Sequence, residues 1–394
     1  MSQEQLLNRR TFLSRAGALG AAVMVAPMIL EGRPFQAQPA KKIRVGIIGC
    51  GSVSGMYLPH LSKSPHVELV SACDIIPERA ANQASRFGIP HHYPHIDQML
   101  AGPKFDLLVN TTDMQEHGRL NAIALHAGVN VWSEKPMANT YAEGRKLLEL
   151  ARDKGLRIWG APAVVNSPQF AFMAQALNAG KLGRVAAAHA HYGHLGPDWS
   201  SFFYEKGGGS LPDLGVYNLA TLTGLLGPAQ SVMAMTSIVT PTRNIHQKGT
   251  VQVEAEDNAM VLMDHGRGIL SHVQCGFNYF DPHGHDGDGQ ERPTISIYGS
   301  GGSMHMVGYD WSPFGVEMAT LEAPELVRYV PDPGTYVWEE GASVICQALA
   351  TGTEPLIAAE HALHVLDVIQ AARASQATGK RIRLTSTFKW PVVS

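Results

Sequence analysis

The chain has 394 residues, of which 45% are hydrophobic and 16% are charged, a composition typical of a globular protein long enough for two domains. Its formal net charge of −3 excludes the strongly basic surface of a protein that binds nucleic acid or anionic membranes. The four cysteines have no Cys-x-x-Cys spacing, which argues against a disulfide framework or a structural zinc site.

Residues 1–40 are predicted to be an export leader outside the fold. Two arginines, Arg9 and Arg10, precede an apolar run over 16–30 that is short for a membrane span and contains Pro27. The order Arg-Arg-x-Phe-Leu resembles a twin-arginine signal, which exports folded proteins, so we expect a periplasmic location. No clean cleavage site follows, and an uncleaved leader that anchors the protein to the membrane stays open as the alternative.

The fold is predicted to begin with a strand over 43–48 and a glycine-rich turn. Gly49 and Gly51 occupy the first two positions of Gly-x-Gly-x-x-Gly, and Ser54, a small residue, occupies the third. A helix is predicted next, and its first N–H groups would point toward a phosphate. The candidates for binding a dinucleotide in this turn are Gly49, Gly51, Ser52 and Val53.

Asp74 ends the second predicted strand about 20 residues beyond this turn, where an acid accepts hydrogen bonds from an adenosine ribose. Ile75 and Ile76 follow, and no arginine is adjacent to pair with a 2′-phosphate, so NAD is favoured over NADP, although Arg79 is close. The alternative role for Asp74 is a helix cap ahead of Pro77.

Strands and helices then alternate. Helices are predicted over 77–89 and 116–128, and strands over 105–112 and 129–132. Such alternation is typical of a doubly wound parallel sheet, and we assign this α/β Rossmann domain to residues 41–160. Ligands of such sheets bind beyond the carboxyl ends of the strands, where Thr111, Thr112 and Lys135 stand.

The turn Glu134-Lys135-Pro136 is unusual, because a plain turn needs only Gly, Asn or Ser. The ordered set Gly49-x-Gly51, Asp74, His117 and Glu134-Lys135-Pro136 resembles the Gfo/Idh/MocA family, named for glucose–fructose oxidoreductase and inositol dehydrogenase. The resemblance covers essentially everything after residue 41. It implies an NAD-dependent enzyme for a sugar or polyol, with His117, Glu134 and Lys135 among its cofactor-binding residues. It also implies a homo-oligomer, either a dimer or a tetramer.

After residue 160 the alternation stops, and runs of strand length follow one another between 184 and 302. A hairpin loop is expected at 264–268. We therefore predict an α+β domain over 161–394 with a large, open, mostly antiparallel sheet. The resemblance implies helices on one face of this sheet and, often, oligomerisation through the other. The last helix is expected to pack back on the domain junction.

One helix of this domain carries candidate catalytic residues. It is predicted to follow three glycines, with Ser210 as its N-cap, Pro212 in its first turn and Gly227 at its end. Asp213 and Tyr217 are four residues apart and therefore share a helical face, which suits a substrate pocket. The alternative is that Asp213 only caps the helix and Tyr217 only packs. The family usually has histidine where Tyr217 stands, and the tyrosine resembles the glucose–fructose oxidoreductase branch.

Two further sets of residues are weaker candidates. His194 and Trp199 are candidate substrate contacts, because an indole stacks on the apolar face of a sugar, although both also suit ordinary loop packing. A glycine-spaced loop does not hold metal ligands in a fixed geometry, so no metal site is expected in the loop that carries His283, His285, Asp286 and Asp288.

The predicted chemistry is hydride transfer from a ring carbon that carries a hydroxyl. Lys135 is expected to stabilise the developing alkoxide, and Asp213 to orient either Lys135 or a second substrate hydroxyl. Tyr217 is expected to accept or relay the hydroxyl proton, with a pKa lowered by the ammonium. An NAD-dependent oxidoreductase for a sugar, sugar derivative or cyclic polyol is the favoured function. The alternatives are a redox-neutral, NAD-dependent glycosidase or lyase and a non-catalytic sugar or dinucleotide sensor, and Lys135 argues against the sensor.

Overall fold

The computed structural model describes residues 41–246, 248–280, 291–329 and 336–393. The export leader predicted for residues 1–40 lies outside these ranges. Within them, no helix combines the length and the apolar character that a bilayer span requires.

Six parallel strands form the sheet of the N-terminal domain. They are β1 (Ile43–Ile48), β2 (Val67–Cys73), β3 (His91–Tyr93), β4 (Leu107–Asn110), β5 (Asn130–Ser133) and β6 (Ile158–Gly160). Their order in the sheet is β3-β2-β1-β4-β5-β6, which confirms the predicted Rossmann fold. The order reverses between β1 and β4, and a crevice therefore opens at the carboxyl ends of these two strands. β3 was not predicted because its residues are polar and largely exposed.

Helices cover both faces of this sheet. They are α1 (Ser54–Lys63), α2 (Pro77–Phe87), α3 (Ile96–Ala101), α4 (His117–His126) and α5 (Tyr141–Asp153). Two separate clusters of buried side chains, one containing Val45 and the other Val70, show that both faces are packed. At the start of α5, Thr140 Oγ1 accepts a hydrogen bond from the Glu143 N–H at 3.1 Å and so caps the helix.

The second domain contains a mixed sheet of nine strands and a separate two-stranded hairpin. The sheet strands are β7 (Val185–Gly193), β8 (Ser231–Ser237), β11 (Asn258–Asp264), β12 (Leu270–Gly276), β13 (Pro293–Gly299), β14 (Gly302–Tyr309), β15 (Ser312–Thr320), β16 (Val327–Tyr329) and β17 (Ile382–Arg383), and the hairpin is β9 (Thr242–Ile245) with β10 (Gly249–Gln252). The order is β16-β15-β14-β13-β7-β12-β11-β8-β17. Neighbours are antiparallel except β7 and β12, so the predicted mostly antiparallel sheet is confirmed.

Helices cover one face of this second sheet. They are α6 (Pro168–Asn178), α7 (Val216–Leu226) and α9 (Ala359–Thr378). The remaining helix, α8 (Gly341–Thr351), packs instead on α1, β1 and β2 of the first domain. α9 packs on β8 and also on α5 and β6 of the first domain, so the two domains share part of their core. The opposite face of the sheet carries exposed apolar side chains, which include Met233, Met235, Met260, Leu262 and Leu270.

Candidate active site

The glycine-rich turn between β1 and α1 leaves room for a close-lying ligand. Gly49 has a φ of +87°, and a Cβ there would lie 2.5 Å from the Thr112 backbone nitrogen, so only glycine fits. A Cβ on Gly51, in contrast, would meet no atom of the described residues within 4 Å. Ser54 Oγ donates to the Gly51 carbonyl at 2.7 Å and replaces the third glycine without enlarging the turn. The open space at Gly51 therefore fits the pyrophosphate of a dinucleotide.

Asp74 is attached directly to this turn. Its Oδ2 accepts a hydrogen bond from the Cys50 N–H at 2.7 Å, and its Oδ1 accepts one from the Ile76 N–H at 2.8 Å. The bond to Ile76 shows that Asp74 also caps the backbone just before α2, which was the alternative role. The bond to Cys50 holds the carboxylate at the rim of the dinucleotide crevice. Each carboxylate oxygen has a second lone pair for a ribose hydroxyl. The next candidates of the turn differ in exposure, since Ser52 is exposed and Val53 is half-buried.

Thr111, Thr112 and His117 tie the strand ends together. Thr111 Oγ1 donates to the Gly49 carbonyl at 2.7 Å, and Thr112 Oγ1 donates to the Asn110 side chain at 2.7 Å. The buried His117 ring lies between two carbonyl oxygens, with Nδ1 2.7 Å from that of Pro136 and Nε2 2.9 Å from that of Thr112. Burial lowers the pKa of His117, and these two carbonyls oppose the shift. Both ring nitrogens face the main chain, so His117 shapes the crevice by holding its loops.

Glu134 is held by a residue that the sequence did not reveal. The Tyr57 hydroxyl donates to Glu134 Oε1 at 2.5 Å, and the Lys135 N–H donates to Glu134 Oε2 at 3.1 Å. Burial, followed by the Glu134 carboxylate, raises the pKa of Tyr57 well above its usual value. The Tyr57 phenol therefore stays protonated and keeps its donor role. Glu134 in turn fixes the backbone from which the Lys135 side chain projects.

Lys135 bridges the two domains. Its Nζ lies 2.7 Å from Asp213 Oδ1 and 2.9 Å from the Asp213 carbonyl oxygen. The two side chains are only 12% and 13% exposed, so the pair is largely shielded from water. The ammonium also lies over the Tyr217 ring, 5.2 Å from its centroid. The structure thus brings together the three candidate catalytic residues, and one N–H of the ammonium remains for a further acceptor.

The helix that carries Asp213 begins differently from the prediction. Ser210 stands at the predicted N-cap position but does not cap the helix, because it has helical φ and ψ angles and its side chain makes no hydrogen bond to the first amides. Its hydroxyl instead accepts a weak hydrogen bond from Cys275 Sγ at 3.9 Å. Residues 211–215 form a π-helical turn before α7, a feature frequent at functional sites. This turn carries Asp213 to Lys135, and Gly227, with a φ of +95°, ends α7 as predicted.

The predicted direction of the Tyr217 pKa is wrong. Burial raises the pKa of Tyr217 well above its usual value, and the carboxylates of Glu134, Asp213, Asp310 and Glu339 raise it further. The Lys135 ammonium lies over the face of the ring, where it does not offset these effects at the hydroxyl. The hydroxyl therefore remains protonated near neutral pH. It can donate a hydrogen bond or relay a proton, but it does not act as a preformed phenolate.

The Lys135–Asp213–Tyr217 group opens into a cavity of about 600 Å³. His194 and Trp199 line the same cavity. His194 Nδ1 accepts a hydrogen bond from the Gly196 N–H at 2.9 Å, which stabilises their loop, and the Trp199 side chain is half exposed. Most of the remaining lining is aromatic: Tyr192, Phe203, Tyr279, Phe280, Tyr309, Trp311 and Trp338. Among the described lining residues, only Lys135 and Asp213 carry full charges, and they neutralise each other.

Arg243 holds the His194 loop in place. Its role was not predicted from the sequence. Its guanidinium donates to the Leu195 carbonyl at 2.6 Å and to the Phe277 carbonyl at 2.7 Å. It also lies 3.4 Å from the buried Asp257 carboxylate and stacks over the Tyr204 ring. These contacts join segments far apart in the chain, so no local pattern identifies them.

The described ranges contain no group of three or more His, Cys, Asp or Glu side chains that can hold a metal ion. The loop with His283, His285, Asp286 and Asp288 falls at 281–290, outside those ranges.

Both domains are similar to known protein families. Residues 43–161 match a family model described as an oxidoreductase family with an NAD-binding Rossmann fold. Residues 170–305 match the GFO/IDH/MocA C-terminal domain. Together the two matches span well over half of the chain.

Individual relatives are more distant. The chain is 25% identical to 1,5-anhydro-D-fructose reductase of Ensifer adhaerens over 256 residues, which are 62% of this chain and 74% of the relative. It is also 25% identical to trans-1,2-dihydrobenzene-1,2-diol dehydrogenase of Bos taurus over 281 residues, 69% of this chain and 76% of that protein. A solved levoglucosan dehydrogenase in complex with NADH superposes with a TM-score of 0.76 at 19% identity, covering 88% of this chain and 100% of the other, which shows a shared fold.

Proposed function

Because the chain belongs to the Gfo/Idh/MocA family of NAD-binding oxidoreductases, we propose that it transfers a hydride between nicotinamide and a ring hydroxyl of an uncharged sugar, sugar derivative or cyclic polyol. The observation that carries this proposal is the shielded Lys135–Asp213 pair, at 2.7 Å, in a cavity beyond the carboxyl ends of the NAD-binding sheet. The names of two similar proteins, 1,5-anhydro-D-fructose reductase and levoglucosan dehydrogenase, support a sugar derivative as the substrate.

The lining of the cavity supports an uncharged substrate. Aromatic rings pack against the apolar faces of sugar rings, and such rings form most of the lining. An anionic substrate, such as a sugar phosphate or a uronic acid, needs an unpaired cation. Lys135 is the one cation among the described lining residues, and its charge is already paired with Asp213.

NAD bound in the crevice supplies the acceptor for the hydride. Lys135 directs its free N–H to the reacting oxygen and stabilises the negative charge that develops there. Asp213 orients the ammonium through two contacts, at its carboxylate and its carbonyl. Tyr217, kept protonated by its surroundings, relays the hydroxyl proton. The Asp74 carboxylate at the ribose end of the crevice supports NAD over NADP, because it would repel a 2′-phosphate.

We also propose that the protein is exported and that it forms a homo-oligomer. Arg9 and Arg10 ahead of an apolar run support export to the periplasm by a twin-arginine route. The exposed methionines and leucines on the open face of the second sheet support a homo-oligomer, because large apolar patches usually mark interaction surfaces.

Formation of NADH tests the proposed activity. The purified protein with NAD⁺ is offered neutral sugars, anhydrosugars and cyclic polyols, together with matched uronic acids and sugar phosphates. We expect NADH only with members of the neutral set, and roughly 10²–10³-fold slower NADH formation with the Lys135→Met variant. Binding of NAD⁺ without reduction by any neutral substrate would contradict the proposal. Release of an aryl group from aryl glycosides without net NADH would instead identify a redox-neutral glycosidase.

A further inference from the structure

Asp310 is a buried acid immediately behind the wall of the cavity. It lies in the turn between β14 and β15, is 1% exposed, and is flanked by the lining residues Tyr309 and Trp311. Its Oδ2 accepts hydrogen bonds from Asn218 Nδ2 at 3.0 Å and from Thr221 Oγ1 at 2.9 Å. Both donors belong to α7, so the carboxyl group is attached to the helix that carries Tyr217.

The other oxygen of this carboxyl group is unusual. Asp310 Oδ1 is buried and forms no hydrogen bond of normal geometry with any residue that the structure describes. The same holds, within those ranges, for the neighbouring Asn218 Oδ1 and for the buried Tyr336 hydroxyl. Buried polar atoms are nearly always paired, and the exceptions in native structures commonly have a functional reason. A buried carboxylate oxygen that lacks a hydrogen bond of normal geometry to the described residues is suited to receiving a proton.

Tyr217 and Asp310 are linked through α7 and through their charges. Thr221, which binds Asp310, is four residues after Tyr217 and therefore lies on the same side of the helix. Among the described residues, three tyrosines interact electrostatically with Asp310: Tyr217 on α7, Tyr192 on β7 and Tyr336. Burial raises the pKa of each of these tyrosines, and the Asp310 carboxylate raises it further. Glu339 acts in the same direction on Tyr217 and Tyr336.

Asp310 itself changes protonation in the range where an enzyme works. Burial raises the pKa of Asp310 to about 6, and the hydrogen bonds from Thr221 and Asn218 oppose that rise, as do the amides of Asp310 and Trp311. At neutral pH the carboxyl group is therefore mostly ionised and able to accept a proton. Tyr217, in contrast, cannot ionise at that pH.

We propose that Asp310 is the proton acceptor behind Tyr217 in the sugar oxidation described above, on which this inference rests. As the substrate O–H bond breaks, its proton moves to the Tyr217 hydroxyl oxygen. The proton that Tyr217 carried passes to Asp310 Oδ1. The carbinol C–H bond breaks at the same time, and its electron pair leaves as the hydride that NAD⁺ accepts. Tyr217 is neutral before and after the step, which agrees with its surroundings.

The pH dependence of kcat/KM for sugar oxidation tests this relay. The wild-type rate should fall below about pH 6, as Asp310 becomes protonated. Asp310→Asn should abolish this acid limb and lower the plateau by roughly 10²-fold, a typical loss for a proton-transfer group. Thr221→Val removes a hydrogen bond that lowers the pKa of Asp310, so its acid limb should move to higher pH. Thr223→Val is the matched control, because Thr223 is buried on the same helix but bonds Leu219 and His361 instead.

An infrared pH titration of the protonated carboxyl stretch gives a second readout that needs no substrate. We expect a band that titrates near pH 6 in the wild type, disappears in Asp310→Asn and titrates at higher pH in Thr221→Val. Sugar oxidation with an acid limb that persists in Asp310→Asn would overturn the relay and leave the proposed function intact. If Asp310→Asn does not fold, an unmoved acid limb in Thr221→Val overturns the relay. A wild type that forms no NADH with any neutral sugar overturns the proposed function and the relay together.

Discussion

Replacing Lys135 with methionine tests whether its ammonium group acts in catalysis or only stabilises the fold. The substitution keeps the length of the side chain but removes the charge and both contacts to Asp213, at 2.7 and 2.9 Å. Removal of one preorganised group that stabilises an oxyanion typically lowers the rate by roughly 10²–10³-fold, or about 2.7–4 kcal/mol. We expect that loss mainly in kcat, because the interaction belongs to the transition state. Affinity for NAD⁺ should be nearly unchanged.

Stability must be measured beside activity, because the same substitution leaves Asp213 as an uncompensated, largely buried charge. Breaking a fully buried pair costs about 3–5 kcal/mol, and the 12–13% exposure of these side chains reduces the expected loss to about 2–3 kcal/mol. The double variant Lys135→Met/Asp213→Asn removes both charges and should recover most of this stability.

Three measurements on each variant decide the role of Lys135: single-turnover reduction of NAD⁺, fluorescence titration of NAD⁺ binding, and thermal unfolding. The double variant should unfold like the wild type and still turn over slowly. If the single variant stays within about threefold of the wild-type rate, or if the double variant regains turnover, the Glu134-Lys135-Pro136 turn is structural and the mechanism is wrong.

The remaining predictions concern the cofactor crevice and the leader. Asp74→Ser should narrow or reverse a preference for NAD over NADP, and a wild type that binds NADP more tightly by fluorescence titration would refute the role of Asp74. Gly51→Ala should weaken NAD binding at least tenfold, because the added Cβ would occupy space that the dinucleotide needs. The free energy of unfolding should stay within about 0.5 kcal/mol of the wild-type value. Gly49→Ala should instead destabilise the cofactor-free protein by at least about 1–2 kcal/mol, because its φ is +87°. Arg9→Lys/Arg10→Lys should retain folded protein in the cytoplasm, and unchanged export in cell fractionation would point to another route.

The elements of the first domain follow from local sequence. The β-branched run before Gly49 predicts a strand over 43–48, and β1 has these bounds. Gly49, Gly51 and Asp74 belong to one strand–helix–strand unit, so their spacing along the chain already determines that they meet. The position of Lys135 beyond β5 follows in the same way, since parallel strands present their carboxyl ends at one edge.

Contacts between residues that are distant in the chain were predicted less well. The pairing of Lys135 with Asp213 spans 78 residues, that of Tyr57 with Glu134 spans 77, and that of Thr221 with Asp310 spans 89. The spacing of Asp213 and Tyr217 in the sequence placed them on one helical face but contained no information about Asp310. Only the first of these contacts crosses from one domain to the other, but all three form only when the surfaces of elements distant in the chain pack together.

Burial was the property that only the tertiary structure decided. From the sequence, an ammonium near Tyr217 predicted a lowered pKa, and Ser210 predicted a helix cap. In the folded protein, burial and the surrounding carboxylates raise that pKa, and a π-helical turn replaces the capped start. The charged form of a side chain is disfavoured when packing removes it from water, whatever its neighbours in the chain. The sequence by itself therefore determined which groups are available for the chemistry, and packing decided the protonation state in which they act.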